Sequence, residues 1–132
     1  MATQAHHFAC HVYYEDTDLA GIVYYANYFK FIERARTEWV RDLGVDQRAL
    51  KAEDGVVFAV RRVEADYLSP AHFDDDLLVE TTLDSLSGAR IVLKQEVKRA
   101  GEVLFSALVT LVAIGAAGQP VRLPATIRRN LH

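Results

Sequence analysis

The hydrophobic pattern of the chain changes its period once, and this change separates one helix from a set of strands. Between residues 25 and 43 apolar side chains recur every three or four positions, which predicts an amphipathic helix. At about 1.5 Å per residue this helix is roughly 28 Å long. Gly44 follows it and is well placed to end it in a left-handed conformation. The apolar stripe consists of Tyr25, Tyr28, Phe29, Ile32, Ala35, Trp39, Val40 and Leu43.

The other regular segments show the alternation typical of β-strands, one before the helix and four after it. Short turns such as Ser87-Gly88 separate the later strands, which favours an antiparallel sheet. One helix packed on one sheet makes a two-layer α+β domain. The last strand is apolar on both faces, so it is either central or covered by a partner subunit. The predicted strands are residues 8–14, 56–68, 77–86, 90–99 and 103–114, and residues 115–132 are predicted to be a loose tail.

Length and composition fit a single domain that spans residues 1–132, with its core at about residues 8–114. The chain is 51% hydrophobic, which is sufficient for a real core, and its net charge of −3 without a basic stripe argues against nucleic acid as a partner. The N-terminus lacks the pattern of a signal peptide, and no apolar run approaches the roughly 20 residues of a membrane span. Cys10 is the only cysteine. These features predict a cytoplasmic protein without membrane insertion.

Two carboxylates, Asp16 and Asp18, lie in the turn between the first strand and the helix. The N–H groups of a helix's first turn have no partners within the helix and can hold an oxyanion. A carboxylate beside them can act as a base or a nucleophile. This combination suits the hydrolysis of an ester or a thioester. From the residues alone, a purely structural role in the turn remains open for either aspartate.

The segment around these carboxylates carries a resemblance to a known family. Residues 14–28 read YEDTDLAGIVYYANY and residues 31–36 read FIERAR, and this combination resembles the signature of the 4-hydroxybenzoyl-CoA thioesterase family. It is most similar to the YbgC-like branch, acyl-CoA thioesterases associated with the Tol-Pal system, and residues 63–71 resemble that branch as well. The likeness implies the hotdog fold, a long helix wrapped by a curved antiparallel sheet of about five strands. It also implies the hydrolysis of an acyl-CoA to a carboxylic acid and free coenzyme A.

The resemblance assigns roles to individual positions. Asp18 matches the catalytic aspartate, as base or nucleophile, which leaves Asp16 as a structural carboxylate that accepts backbone N–H bonds. Tyr25 matches the position whose backbone N–H stabilises the oxyanion. Members of the nearest branch commonly have histidine there, so no acid–base help is expected from this side chain. The residues predicted to contact the substrate are Gly21, Tyr24 and Asn27.

No metal or cofactor is expected, because none of the five histidines shows ligand spacing and coenzyme A belongs to the substrate. An acyl carrier protein could replace coenzyme A as the carrier. Two other functions stay open: a non-catalytic acyl-CoA binding module or envelope-associated scaffold, and a hotdog hydratase. The hydratase is disfavoured because no histidine lies between His11 and His72. Candidates for holding the coenzyme A phosphates are Arg61, Arg62, Lys98, Arg99 and Arg128.

A single sheet with one helix leaves its edges uncovered, which favours pairing across a two-fold axis. The sequence therefore predicts a homodimer or homotetramer with the site at the subunit interface.

Overall fold

The order of one strand, a long helix and four further strands is confirmed. The computed structural model describes residues 4–131, and in it a five-stranded antiparallel sheet carries a long helix on one face. The α+β hotdog architecture is therefore as expected. The strands are β1 (His6–His11), β2 (Val57–Tyr67), β3 (Asp76–Leu86), β4 (Arg90–Arg99) and β5 (Glu102–Ile114), and the helices are α1 (Asn27–Asp42), α2 (Gln47–Asp54) and α3 (Ala125–Asn130).

The sheet has the order β1-β3-β4-β5-β2, so β5 lies between two neighbours and β1 and β2 form the outer edges. The central position of the doubly apolar strand is thus confirmed, since β5 is covered on both sides by hydrogen-bonded strands. Strand β4 and the first half of β3 alternate in burial as their pattern predicts, and in β4 the side chains of Ile91, Leu93 and Val97 are buried. Edge strand β2 exposes a row of unpaired backbone groups together with the apolar side chain of Val60, which is 48% exposed.

Helix α1 packs its apolar face on β1, β3 and β4. Tyr28, Ile32 and Ala35 are buried as the stripe predicts, and each large side chain removed from water contributes about 1.5–3 kcal/mol. Phe31, absent from the predicted stripe, is also buried, whereas Phe29 is 37% exposed. Gly44 has a φ of 84° and follows the last turn, so the predicted left-handed ending is confirmed.

A buried polar group fixes the position of α1 on the sheet. Gln95 is fully buried, and its Nε2 donates to the Ile32 main-chain oxygen and to Thr81 Oγ1, each at 3.0 Å. Arg36 Nη1 donates to Gln95 Oε1 at 3.0 Å. Burial lowers the pKa of the Arg36 guanidinium. Because a buried amide must keep its partners, these bonds hold the helix in one register over β3 and β4.

Two of the predicted boundaries are wrong, and one short helix is additional. The first strand ends at His11 because residues 14–16 form a short 3₁₀ turn. The long helix begins at Asn27 rather than at residue 25. Helix α2 was not predicted, although Asp46 before it and Gly55 after it are ordinary cap residues; the Asp46 carboxylate accepts the Arg48 N–H at 3.0 Å.

The expectation of a loose tail is also wrong. Leu123, Ile127 and Leu131 are buried against the core, and they lie four residues apart. Asn130 Nδ2 also donates to the Leu43 main-chain oxygen at 2.6 Å, which fastens α3 to the end of α1. Within residues 4–131, no helix combines the length and the apolar character needed to cross a membrane.

Candidate active site

The segment that carries Asp18 is a tight, hydrogen-bonded turn. The Asp18 N–H donates to the Ile22 main-chain oxygen at 2.9 Å, the Gly21 N–H donates back to the Asp18 oxygen at 3.0 Å, and Thr17 pairs with Val23. Gly21 has a φ of 79°, a conformation that glycine adopts without steric cost. The turn is therefore closed by its own backbone and presents its side chains outward.

The Asp18 carboxylate is exposed and only partly engaged. Its Oδ1 accepts the Ala20 N–H at 2.9 Å. Its Oδ2 has no hydrogen-bond partner within residues 4–131. One oxygen thus holds the side chain in place while the other is available to a water molecule or an acyl carbon.

The Asp16 carboxylate and main chain are instead engaged in the local structure. Its Oδ2 accepts the Tyr13 N–H at 2.9 Å. Its main-chain oxygen accepts both the Tyr24 N–H and the Asn27 side-chain amide, each at 2.9 Å. Asp16 therefore joins the 3₁₀ turn, the end of the Asp18 turn and the first residue of α1. Asn27, predicted to contact substrate, commits its side-chain amide to this junction.

The chain enters α1 through a turn that exposes Tyr25. The Asn27 N–H donates to the Tyr24 oxygen at 2.8 Å, so Tyr25 lies in the turn before the helix and not in its first turn. In the described part of the chain the Tyr25 N–H donates no hydrogen bond. The Tyr24 and Tyr25 rings lie 4.9 Å apart. The neighbouring Tyr25 phenol raises the pKa of Tyr24, and the negative charge of Asp18 adds a smaller rise.

An apolar cleft of about 360 Å³ opens beside the Tyr25 backbone. One side is formed by Ile22, Val23, Tyr25 and Tyr28, and the other by residues 67–70; the predicted substrate contacts Tyr24 and Asn27 do not line it. Tyr67 Oη donates to the Tyr25 main-chain oxygen at 3.0 Å, which fixes one wall. The buried Tyr28 ring stacks on Phe105 at 4.9 Å and closes the base. Sequence reasoning missed Tyr67 and the wall it forms, although residue 67 falls within the stretch that carries the family resemblance.

The predicted phosphate-binding cations are not brought together as one cluster. Lys98 Nζ lies 3.2 Å from Glu80, and Arg62 Nε lies 3.3 Å from Glu64. Arg99 is engaged by Asp75 and Glu102, while Arg128 belongs to α3 at the other end of the chain. Arg61 is exposed at a β-bulge in edge strand β2.

The Cys10 thiol is unreactive, and the side chains that could ligate a metal are dispersed within residues 4–131. Burial raises the pKa of the Cys10 thiol to about 11, with a smaller opposing effect from Arg34, so the thiol stays protonated at neutral pH. Within residues 4–131, no three His, Cys, Asp or Glu side chains are grouped so that they could hold a metal ion.

An exposed carboxylate close in sequence to an N–H that donates no hydrogen bond within residues 4–131 suits ester or thioester hydrolysis, with the carboxylate as base or nucleophile and the N–H as oxyanion donor. The model of the thioesterase superfamily matches residues 20–106, and the chain belongs to this superfamily. Its relatives include acyl-CoA thioesterase YbgC of Haemophilus influenzae, 38% identical over 126 residues that cover 95% of this chain and 93% of that protein. Acyl-CoA thioester hydrolase YbgC of Escherichia coli O6:H1 is 41% identical over 112 residues, which cover 85% of this chain and 83% of that protein.

Solved structures agree with this family. A probable thioesterase from Bartonella henselae superposes with a TM-score of 0.87 at 35% identity, covering 92% of this chain and all of that one (100%). A variant of 4-hydroxybenzoyl CoA thioesterase complexed with 4-hydroxybenzoyl CoA gives a TM-score of 0.92 at 21% identity, covering 98% of this chain and 100% of that one. At that identity the second likeness shows the fold alone.

Proposed function

We propose that this protein hydrolyses acyl-CoA thioesters to a carboxylic acid and free coenzyme A. The observation that carries the proposal is the combination, in one short segment, of the exposed Asp18 carboxylate with a Tyr25 N–H that donates no hydrogen bond within residues 4–131. The relatives named acyl-CoA thioesterase, at 38% and 41% identity over most of their length, support the same reaction.

In the proposed reaction the Tyr25 N–H binds the thioester oxygen, which gains negative charge as the acyl carbon becomes tetrahedral. Loss of one such donor typically lowers kcat about 10²- to 10³-fold. Asp18 either removes a proton from an attacking water or attacks the acyl carbon itself, forming an anhydride that water then opens. In both routes the carbon–sulfur bond breaks, the thiolate of coenzyme A leaves, and one water is consumed. No metal or further cofactor takes part in this scheme.

Isotope labelling tests whether Asp18 attacks the acyl carbon itself. In a single turnover in H₂¹⁸O, an anhydride that water opens at the aspartyl carbon leaves one ¹⁸O in the Asp18 carboxylate and none in the acid. General-base catalysis, like an anhydride opened at the acyl carbon, places ¹⁸O in the acid and none in the enzyme. Detection of ¹⁸O in the peptide that contains Asp18 by mass spectrometry would therefore demonstrate direct attack.

The apolar cleft beside Tyr25 is proposed to receive the acyl group. In a single chain this cleft is open, and the apolar side chains of Tyr67 (47% exposed) and Leu68 (59% exposed) lie at the end of edge strand β2. A second copy pairing along this edge would cover the cleft and remove the free strand edge. We therefore propose a homodimer or homotetramer with the site at the interface. Light scattering during gel filtration should give at least twice the 14.8 kDa mass of the chain, and a monomer at micromolar concentration would refute this.

Thiol release, followed with a thiol-reactive dye, tests the function over a panel from acetyl- to palmitoyl-CoA with one aryl-CoA. The same acyl groups on an acyl carrier protein test the alternative carrier. Turnover of any member supports the proposal, and the most rapidly hydrolysed member identifies the acyl class. Saturable acyl-CoA binding without thiol release from either carrier would contradict it and favour a binding module. The cytoplasm, the compartment expected from the sequence, is the proposed location.

A further inference from the structure

Arg99, the last residue of β4, is bound entirely within the protein. Its Nη1 donates to Asp75 Oδ2 at 2.8 Å and to the Pro70 main-chain oxygen at 3.3 Å, and lies 3.4 Å from His72 Nδ1. Its Nη2 donates to Glu102 Oε1 at 3.2 Å. The planar guanidinium thus holds both ends of the loop of residues 70–75 at the end of β4, and a separate bond from its Nη2 joins it to Glu102 at the start of β5.

The same loop closes itself around Asp75. Asp75 Oδ2 accepts the His72 N–H at 2.8 Å, and the Asp75 N–H donates to the His72 oxygen at 3.1 Å. Burial acts to raise the pKa of Asp75, but the His72 N–H and the Arg99 guanidinium outweigh it and hold that pKa below its ordinary value. The Asp75 carboxylate is therefore ionised at neutral pH, and its Oδ2 is shared by the His72 N–H and the Arg99 guanidinium.

The far side of this loop supports the proposed active site. The Val23 N–H donates to the Ala71 oxygen at 2.9 Å, and Ile22 pairs with His72. The Ala71 N–H donates to Tyr28 Oη at 3.1 Å, and both residues are buried. Ala71 therefore lies between the Asp18 turn and the first turn of α1, and contacts both.

The charges around Arg99 do not suit a phosphate. One guanidinium is shared by two carboxylates, Asp75 and Glu102, so the local charge is already negative. A phosphate of coenzyme A would displace one of them and approach the other, which costs Coulomb energy. The sequence-based assignment of Arg99 to the coenzyme A phosphates is thus disfavoured.

We propose that Arg99 is a positioning residue for the active site, acting through the loop of residues 70–75 on the Asp18 turn and on the start of α1. The inference rests on the proposed function of Asp18 and the Tyr25 N–H. Arg99 contacts neither group. It determines where they lie relative to one another.

The test compares two thioesters of the same acyl group, one on coenzyme A and one on N-acetylcysteamine, which has no phosphates. Arg99→Met removes all the donors, and Arg99→Lys keeps the charge but cannot reach Asp75, Pro70 and Glu102 together. Glu102→Ala, the control, breaks only the outer bond. Arg99→Met is expected to lower kcat about 10- to 100-fold on both thioesters. The kcat of Arg99→Lys should lie between that of Arg99→Met and that of the wild type, and Glu102→Ala should retain wild-type kcat.

Two kinetic results would overturn the proposal. A rise in KM confined to the coenzyme A thioester would make Arg99 a phosphate ligand. If Arg99→Met and Glu102→Ala have equal kcat values, Arg99 has a structural role only. If Arg99→Met does not fold, Arg99→Lys decides by the same criteria.

Amide hydrogen exchange gives a readout that needs no turnover. Exchange of the Val23 N–H, which is bonded to Ala71, should be faster in Arg99→Met than in Glu102→Ala at equal global stability. Unchanged protection would overturn the positioning role. Wild-type protein that hydrolyses no thioester would refute the proposed function instead, and Val23 exchange would then decide the role of Arg99 by itself.

Discussion

The side-chain amide of Asn27 donates a hydrogen bond of 2.9 Å to the main-chain oxygen of Asp16. The first residue of α1 is thereby joined to the segment that leads into Asp18. Because the same oxygen also accepts the Tyr24 N–H, one carbonyl fixes both the end of the Asp18 turn and the beginning of the helix. Asn27 was predicted from the sequence to contact substrate, and the structure gives its side-chain amide a local role at this junction.

Asn27→Ala is therefore expected to lower both stability and turnover. Loss of this partly buried bond should cost about 1 kcal/mol of unfolding free energy, and kcat should fall because one of the bonds that link the Asp18 segment to the helix start is removed. Asn130→Ala is the control, since it removes a similar amide-to-carbonyl bond, to Leu43, far along the chain. Urea unfolding and thiol release measure the two effects. Equal kcat in both variants, or a rise in KM alone for Asn27→Ala, would count against the role at this junction.

Gly21→Ala isolates the conformational requirement of the turn. A Cβ at Gly21 meets nothing within 4 Å, so its cost is the left-handed backbone alone, about 1–2 kcal/mol. Gly118→Ala is a matched control, with a φ of 81° and nothing within 4 Å. Both variants should lose similar stability in thermal unfolding, and only Gly21→Ala should lose kcat. A similar loss of kcat in Gly118→Ala would show that lowered stability, not turn geometry, is responsible.

The His11 ring binds two carboxylates, that of Asp74 in the loop before β3 and that of Asp76 at the start of β3, and its pKa is therefore expected to be raised. Its Nδ1 lies 2.8 Å from Asp76 and its Nε2 lies 3.0 Å from Asp74, and these bonds, Asp76 first, raise the pKa of His11 above 6.5. A raised pKa means that the stabilisation is complete below pH 6.5 and is lost as pH rises through the folded-state value. NMR titration of the ring should show the high pKa, and Asp76→Asn should lower it. A pKa that does not change in Asp76→Asn would contradict this assignment.

Cys10 should react slowly in the folded protein. With its pKa raised from 9.0 to about 11 by burial, its thiolate fraction at pH 8 is about 100-fold lower than in the unfolded chain. Alkylation by iodoacetamide, followed by mass spectrometry with and without urea, measures the ratio. Equal rates in the two conditions would mean that the thiol is neither buried nor shifted.

The helix and the sheet could be predicted because their periodic patterns are long, as in residues 25–43 and 103–114. Helices α2 and α3 have only eight and six residues, too few for a clear period, although Asp46 before α2 and the spacing of Leu123, Ile127 and Leu131 were usable signals. The Asp18 turn was found from its motif. The contacts that hold this turn and the Tyr25 segment in place were not predicted. The bonds between Ala71 and Val23 and between Tyr67 and Tyr25 join segments more than 40 residues apart. No local pattern encodes such contacts.

The most direct test of the proposed chemistry compares Asp18→Asn with Asp16→Asn. An asparagine at position 18 can still accept the Ala20 N–H, so the turn should remain, but its neutral amide is neither base nor nucleophile. Steady-state thiol release, with unfolding curves for both variants, should show kcat about 10²- to 10⁴-fold lower in Asp18→Asn. Asp16→Asn should affect mainly stability, since its amide oxygen can still accept the Tyr13 N–H. Equal and complete loss of kcat in both variants, with stability intact, would contradict the assignment of Asp18 as the reacting carboxylate.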